Sequence, residues 1–179
     1  MPNFVALLRG INVNGKNIIR MDDLRECMGQ LGFTNVRTYV QSGNVVFHSA
    51  SASTTGVSKA IERAWLSDFG FAVPVLLRTP KRLAGVVAGN PFLKLPSIES
   101  SSLYTTFLLN NPPSNAAARL QQLADTSEQL HLMGREIYLH CPAGYGNTKL
   151  SNVAIEKQLS VVATTRNWRT VCALMDMAQ

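Results

Sequence analysis

The sequence predicts an α+β protein of two tandem β-α-β-β-α-β units followed by one extra helix. Three observations carry that prediction. Short apolar runs typical of buried strands alternate with three- and four-residue helical spacing, and the same order appears twice. Glycines stand where helices and hairpins must turn, at Gly32, Gly43, Gly70 and Gly134. The length of 179 residues suits one domain or two small halves sharing a core, and falls short of a common barrel enzyme.

The first half occupies residues 1–78. Asn3 to Leu8 reads as a strand covered on both sides. Met21, Leu24, Cys27, Met28 and Leu31 then recur on the helical period, with Asp22 and Asp23 at the positive end of the helix dipole and Gly32 as a left-handed cap. Val36 to Gln41 and Asn44 to His48 form a hairpin whose turn needs the positive φ that Gly43 permits. Val57, Ile61, Ala64, Trp65 and Phe69 draw a second helix ended by Gly70, and Ala72 to Leu77 supplies the closing strand. One sheet covered by two helices on one face, the ferredoxin-like arrangement, is the compact solution.

Residues 79–101 read as a linker with a short helix at Pro80 to Ala88, followed by Asn90-Pro91-Phe92 and a serine-rich patch. The second half, residues 102–179, repeats the order. It has a strand at Leu103 to Leu109, a helix near Asn115 to Ala124, a hairpin of Glu128 to Leu132 and Glu136 to His140, a helix from Ser151 to Leu159 and a strand at Val161 to Thr164. Trp168, Val171, Cys172 and Met175 mark the additional C-terminal helix.

Composition narrows the function classes. The chain is 46% apolar and 16% charged, which supports a packed core and gives no argument for disorder. Cys27, Cys141 and Cys172 are odd in number and far apart, against a disulfide framework or a zinc knuckle and in favour of a reducing compartment. No apolar run approaches the roughly 18 residues of a membrane span, so a soluble cytoplasmic protein without membrane partners is expected. The net charge of +6 is uneven: residues 1–82 hold ten basic and five acidic side chains, residues 83–179 seven and six. That excess favours an anionic partner.

Several polar segments are candidate ligand sites. Gly10 to Lys16 has the spacing G-x-x-x-x-G-K, but Asn17 replaces the Ser or Thr that a phosphate-binding loop uses for magnesium, and Ile18, Ile19 and Arg20 separate Lys16 from the helix. Nucleotide hydrolysis is therefore disfavoured. Arg9, Asn12, Lys16, Asn17 and Arg20 still form a polar loop with no acid before Asp22, able to offer cations and backbone N–H groups to a phosphate or carboxylate. The alternative is a solvated loop in which the asparagines make their own turns. Gln41, Ser42 and Asn44 offer amides and a hydroxyl if their turn lies beside that loop.

Residues 144–149, ending in Lys149, lead into a helix N-terminus, a modest anion site. Arg166, Asn167 and Trp168 could hold a phosphate and stack a base, or Trp168 could anchor the last helix from its apolar stripe. Tyr39 and Phe47 make a base-stacking sheet only if both face solvent. His48, His131 and His140 lack metal-ligand spacing, no G-x-S-x-G elbow is present, and no nucleophile and base pair off. Catalytic residues therefore remain unassigned, and no metal or cofactor is expected.

At these residues the chain resembles a bacterial family filed as domain of unknown function 1697. The likeness runs through Ala6 to Val13 with Gly15-Lys16-Asn17, Asp23-Leu24-Arg25, Leu31 to Tyr39, Gln41 to Phe47, Asn90-Pro91-Phe92, Ser151 and Ala163 to Trp168. It spans nearly the whole length. It implies two ferredoxin-like halves and no activity, because the family has no established reaction, cofactor or catalytic residues. The leading expectation is a binding module for an anionic small molecule or single-stranded nucleic acid, using the 9–20, 41–44, 144–149 and 164–168 segments. A transferase or hydrolase with a cleft between the halves, and an interaction or oligomeric scaffold, are the alternatives.

Overall fold

The computed structural model describes all 179 residues and divides by packing into two units, Met1–Ala84 with Ala173–Gln179, and Gly85–Cys172. The first contains β1 (Asn3–Leu8), α1 (Met21–Gln30), β2 (Thr34–Tyr39), β3 (Asn44–His48), α2 (Thr54–Phe69) and β4 (Val75–Arg78). Helix α3 (Pro80–Ala88) and two short 3-10 turns lead to β5 (Leu103–Leu108), α4 (Ala116–Leu123), β6 (Gln129–Met133), β7 (Glu136–His140), α5 (Asn152–Leu159) and β8 (Ala163–Asn167). Helix α6 (Trp168–Met177) ends the chain.

Each unit has one antiparallel four-stranded sheet, ordered β2-β3-β1-β4 and β6-β7-β5-β8. The fold is α+β, two tandem ferredoxin-like units plus a C-terminal helix. In the first, Phe4, Ala6, Leu8, Val45, Phe47, Val75 and Leu77 line one sheet face and pack with Leu24, Met28, Ile61 and Trp65 of the two helices. The intervening residues Val5, Leu7, Val46 and Leu76 are buried too, which accounts for the suppressed alternation. In the second, Leu108, Ile137, Leu139 and Ala163 pack with Leu120, Ile155 and Leu159.

Several strand ends differ from the sequence reading. β4 begins at Val75 rather than Ala72 because Pro74 has no N–H for the ladder; its carbonyl instead accepts from Arg9 N–H at 3.0 Å. β8 runs to Asn167, beyond the expected Thr164. Its β-branched Thr164 and Thr165 and the long Arg166 side chain sit well in a pleated ladder, opposite Phe107, Thr106 and Thr105. Asn167 then caps α6, its Oδ1 accepting from Thr170 N–H at 2.8 Å.

The duplication extends to single hydrogen bonds. Leu8 N–H donates to Gly43 O at 2.9 Å, and Leu108 N–H to Arg135 O at 2.8 Å. A glutamate on the second helix of each unit accepts from the first residue of the closing strand: Val75 N–H to Glu62 Oε1 and Ala163 N–H to Glu156 Oε1, both 2.9 Å. Ser53 and Ser151 cap those helices, and Gly70 and Ser160 end them in the left-handed conformation. Arg78 and Arg166 occupy matching buried positions, each donating from Nη1 to the carbonyl of the preceding residue at 2.9 Å.

What differs between the units is loop length. The first strand reaches the first helix through residues 9–20 in one unit and 109–115 in the other, and the hairpin turns are 40–43 and 134–135. The reverse holds where the third strand meets the second helix, through residues 49–53 and 141–151.

Candidate functional site

The two loops enlarged in the first unit are bonded to each other. Asn14 and Gly15, at φ 50° and 72°, form the two-residue tip of a small hairpin closed by Lys16 N–H to Val13 O at 2.9 Å and Asn12 N–H to Asn17 O at 3.1 Å. Asn12 is the hub. Its Oδ1 accepts from Ile19 N–H at 2.8 Å, while Nδ2 donates to Ile19 O at 3.0 Å and, across to the neighbouring turn, to Gln41 O at 2.8 Å. Asn17 Nδ2 donates to Gly10 O at 2.9 Å. Asn44, fully buried, donates from Nδ2 to Tyr39 O at 3.0 Å and Ser42 Oγ at 2.8 Å. The asparagines hold these loops, as short amides do where the backbone turns through positive φ.

The charged and other polar residues lie on that frame. Lys16, Arg20 and Gln41 are exposed, and Arg9 and Ser42 are half-buried. Arg20 sits 3.7 Å from Asp22, which also bonds Arg25, and the pair is open to solvent, where such contacts are worth at most about 1 kcal/mol. Val40, between Tyr39 and Gln41, has φ 48°. A β-branched residue there is strained, and it persists because Asn12 and Asn44 bind the carbonyls on either side.

The second-unit residues have other surroundings. Arg166 is 8% exposed, its Nη1 donating to Thr164 Oγ1 at 2.6 Å, and burial pulls its pKa down to about 10 against the raising influence of Tyr145. It remains charged at neutral pH. Trp168 is buried, Asn167 is occupied by its cap, and Lys149 lies 3.6 Å from Asp125. Phe47 is buried in the core while Tyr39 is half-buried, so the two cannot form a solvent-facing stacking pair. No group of three His, Cys, Asp or Glu side chains is placed to hold a metal ion, and no helix is long and apolar enough to cross a membrane.

The thiols are poorly suited to nucleophilic chemistry. Burial, reinforced by Asp68, pushes Cys27 up to about 12; burial pushes Cys141 up to about 11, with Thr148 opposing and Glu128 adding. Both bind their proton more tightly folded than unfolded. Their stabilising contribution is therefore full below pH about 9 and is lost as pH rises toward 11 and 12. In native protein at pH 8, a thiol reagent is expected to modify at most the half-buried Cys172 rapidly, and all three thiols after denaturation. Rapid native labelling of Cys27, located by peptide mass mapping, would contradict the packing of α1.

The family model described as a protein of unknown function, DUF1697, matches residues 1–138. The chain belongs to that family. The solved structure of the conserved bacterial protein SP0830 from Streptococcus pneumoniae is similar to this DUF1697 chain over 99% of each, with a TM-score of 0.74 and 21% identity. At that identity the likeness shows the fold alone. No curated protein matches. No activity therefore reaches this DUF1697 protein through its relatives.

Three residues adjoining the hub that the sequence reading of this DUF1697 protein did not single out, Val13, Ile18 and Val40, are exposed. Val13 and Ile18 carried no distinguishing signal, because Ile11 and Ile19 of the same loop are β-branched too and enter the core. Val40 carried none, because its residue type disfavours the conformation it adopts.

Proposed function

We propose that this protein binds a phosphate-bearing anionic ligand at the paired loops of its first unit, residues 9–20 and 41–44. The observation that supports this most is the internal comparison between units. The second unit joins its first strand to its first helix through Leu109-Asn-Asn-Pro-Pro-Ser-Asn115, without a charged residue, on a scaffold with the same strand order and several matching hydrogen bonds. The fold therefore does not require a longer loop bearing Arg9, Lys16 and Arg20, nor its tie to a longer hairpin turn. In the proposed site Lys16 and Arg20 neutralise the anion and the Gln41 amide selects its shape, on a backbone already held by Asn12, Asn17 and Asn44. Lys149 stays a secondary candidate, and buried Arg166 acts within its unit. Three free thiols fit a reducing, cytoplasmic setting for this binding.

Titrating isotopically labelled protein with inorganic pyrophosphate at low salt tests the reading. Amide shifts are expected in residues 9–20 and 40–44. Lys16→Gln and Arg20→Gln should each weaken binding about two- to fivefold, the scale of an exposed charge pair, and added salt should weaken it further. For single-stranded RNA the affinity should fall with salt as counterion release requires. An absence of shifts at low salt, or shifts confined to the second unit, would overturn the proposal.

A further inference from the structure

Resting on that anion-binding reading, we infer that the ligand is a nucleoside phosphate, its phosphate at Lys16 and Arg20 and its base against an aliphatic platform of Val13, Ile18 and Val40. These side chains are 50%, 71% and 52% exposed, and the only other large exposed apolar residues of the first unit are Met1 at the terminus and Leu66 on α2. Their placement is systematic. The Asn12 side chain bonds Ile19 and Gln41, and Val13, Ile18 and Val40 are the immediate chain neighbours of Asn12, Ile19 and Gln41. Three exposed aliphatic residues thus each stand one position from a residue that the Asn12 side chain belongs to or bonds, on segments whose bonded residues are 29 positions apart.

The residue types favour a flat partner. All three are β-branched and stiff about χ1, so little side-chain freedom remains to be lost when a planar ring covers them. Val40 is held in a strained conformation that keeps it beside the exposed Gln41 amide, and that amide carries both a donor and an acceptor for the edge of a base. An anionic lipid surface also combines phosphate with apolar material, but it would leave the Gln41 amide without a partner among acyl chains. A base offers both the flat face and the polar edge. The same chemistry is presented by a free nucleotide and by the nucleotides of a single strand.

The experiment compares adenosine monophosphate, ribose 5-phosphate, a short single-stranded oligoribonucleotide and phosphatidylglycerol vesicles as probes of the full-length chain. Adenosine monophosphate is expected to bind about tenfold tighter than ribose 5-phosphate, the gain from covering roughly one aliphatic side chain's worth of surface. That ratio should fall toward one in Ile18→Ser/Val40→Ser, whose fold is checked by thermal melting, with Ile18→Ala as the milder variant. Lys16→Gln should weaken both ligands. Tighter binding of the oligonucleotide than of the mononucleotide would support the same site chemistry and point to a strand as its source. Equal affinity for the two monophosphates overturns the nucleoside assignment and leaves anion binding standing. Failure of every anionic probe to bind overturns both, and binding to vesicles but not to adenosine monophosphate replaces the nucleoside with a lipid surface.

Discussion

Gly43→Ala is expected to destabilise the protein by about 2–4 kcal/mol and to weaken anion binding with it. Gly43 has φ 77°, where an alanine costs about 1–2 kcal/mol. A Cβ there would also lie 2.8 Å from Ile11 Cδ1 and 2.9 Å from Leu8 Cβ, both parts of the buried core, and overpacking of that kind costs about 1–3 kcal/mol. Leu8 Cβ is fixed to the backbone of β1, so the turn itself must shift, which strains the bond from Asn12 Nδ2 to Gln41 O. Gly10→Ala is the control, with φ 80° and nothing within 4 Å of its added Cβ. It should cost only the conformational part, about 1–2 kcal/mol. Urea unfolding of the two variants together with pyrophosphate titration decides the matter; indistinguishable behaviour would show that Gly43 is not wedged against Ile11.

Trp65→Ala should cost about 3–5 kcal/mol, the range for removing a large aromatic from a packed core. Trp65 is fully buried on α2, with ring centroids 4.6 Å from Phe69 and 5.9 Å from Phe71. Its indole Nε1 is buried without a hydrogen-bond partner. Trp65→Phe therefore forfeits contact area but also relieves an unsatisfied donor, and its cost should be less than half that of the alanine variant. Chemical denaturation of both variants tests this. A phenylalanine variant as unstable as the alanine one would mean that the indole N–H contributes a bond in the folded protein.

The proposed anion site depends on the same core in an indirect way. Ile11 and Ile19 are core residues of the first unit, and they bracket the half-buried Asn12 and the exposed stretch from Val13 to Ile18. The loop is anchored at both shoulders by burial, and inside by Asn12. Such a loop presents Lys16 with less freedom to lose on binding than a tethered but unanchored loop would.

The order of elements was legible because helical and strand periodicities are local properties of the chain. The spacing from Met21 to Leu31 is enough to predict α1, and the apolar run from Asn3 to Leu8 is enough to predict a strand covered on both faces. The repeat follows from reading that order twice. Strand ends were less legible: Pro74 delayed β4 by removing a donor, and Thr165 to Asn167, polar enough to pass for a loop, joined β8 through pairing with β5.

For the candidate site, the sequence by itself determined which residues could carry charge and which could turn. The acid-free stretch up to Met21, the Asn-Gly pair at the tip and Gly43 were all visible there. Only the tertiary structure decided their roles. It spent Asn12, Asn17 and Asn44 on backbone bonds, buried Arg166 and Trp168, and left Lys16 and Gln41 exposed. It also tied the 9–20 loop to the 41–44 turn through one asparagine. The reason is physical: residue type and spacing act over a few positions, whereas burial and the bond from Asn12 to Gln41 join positions that meet only once the sheet has formed.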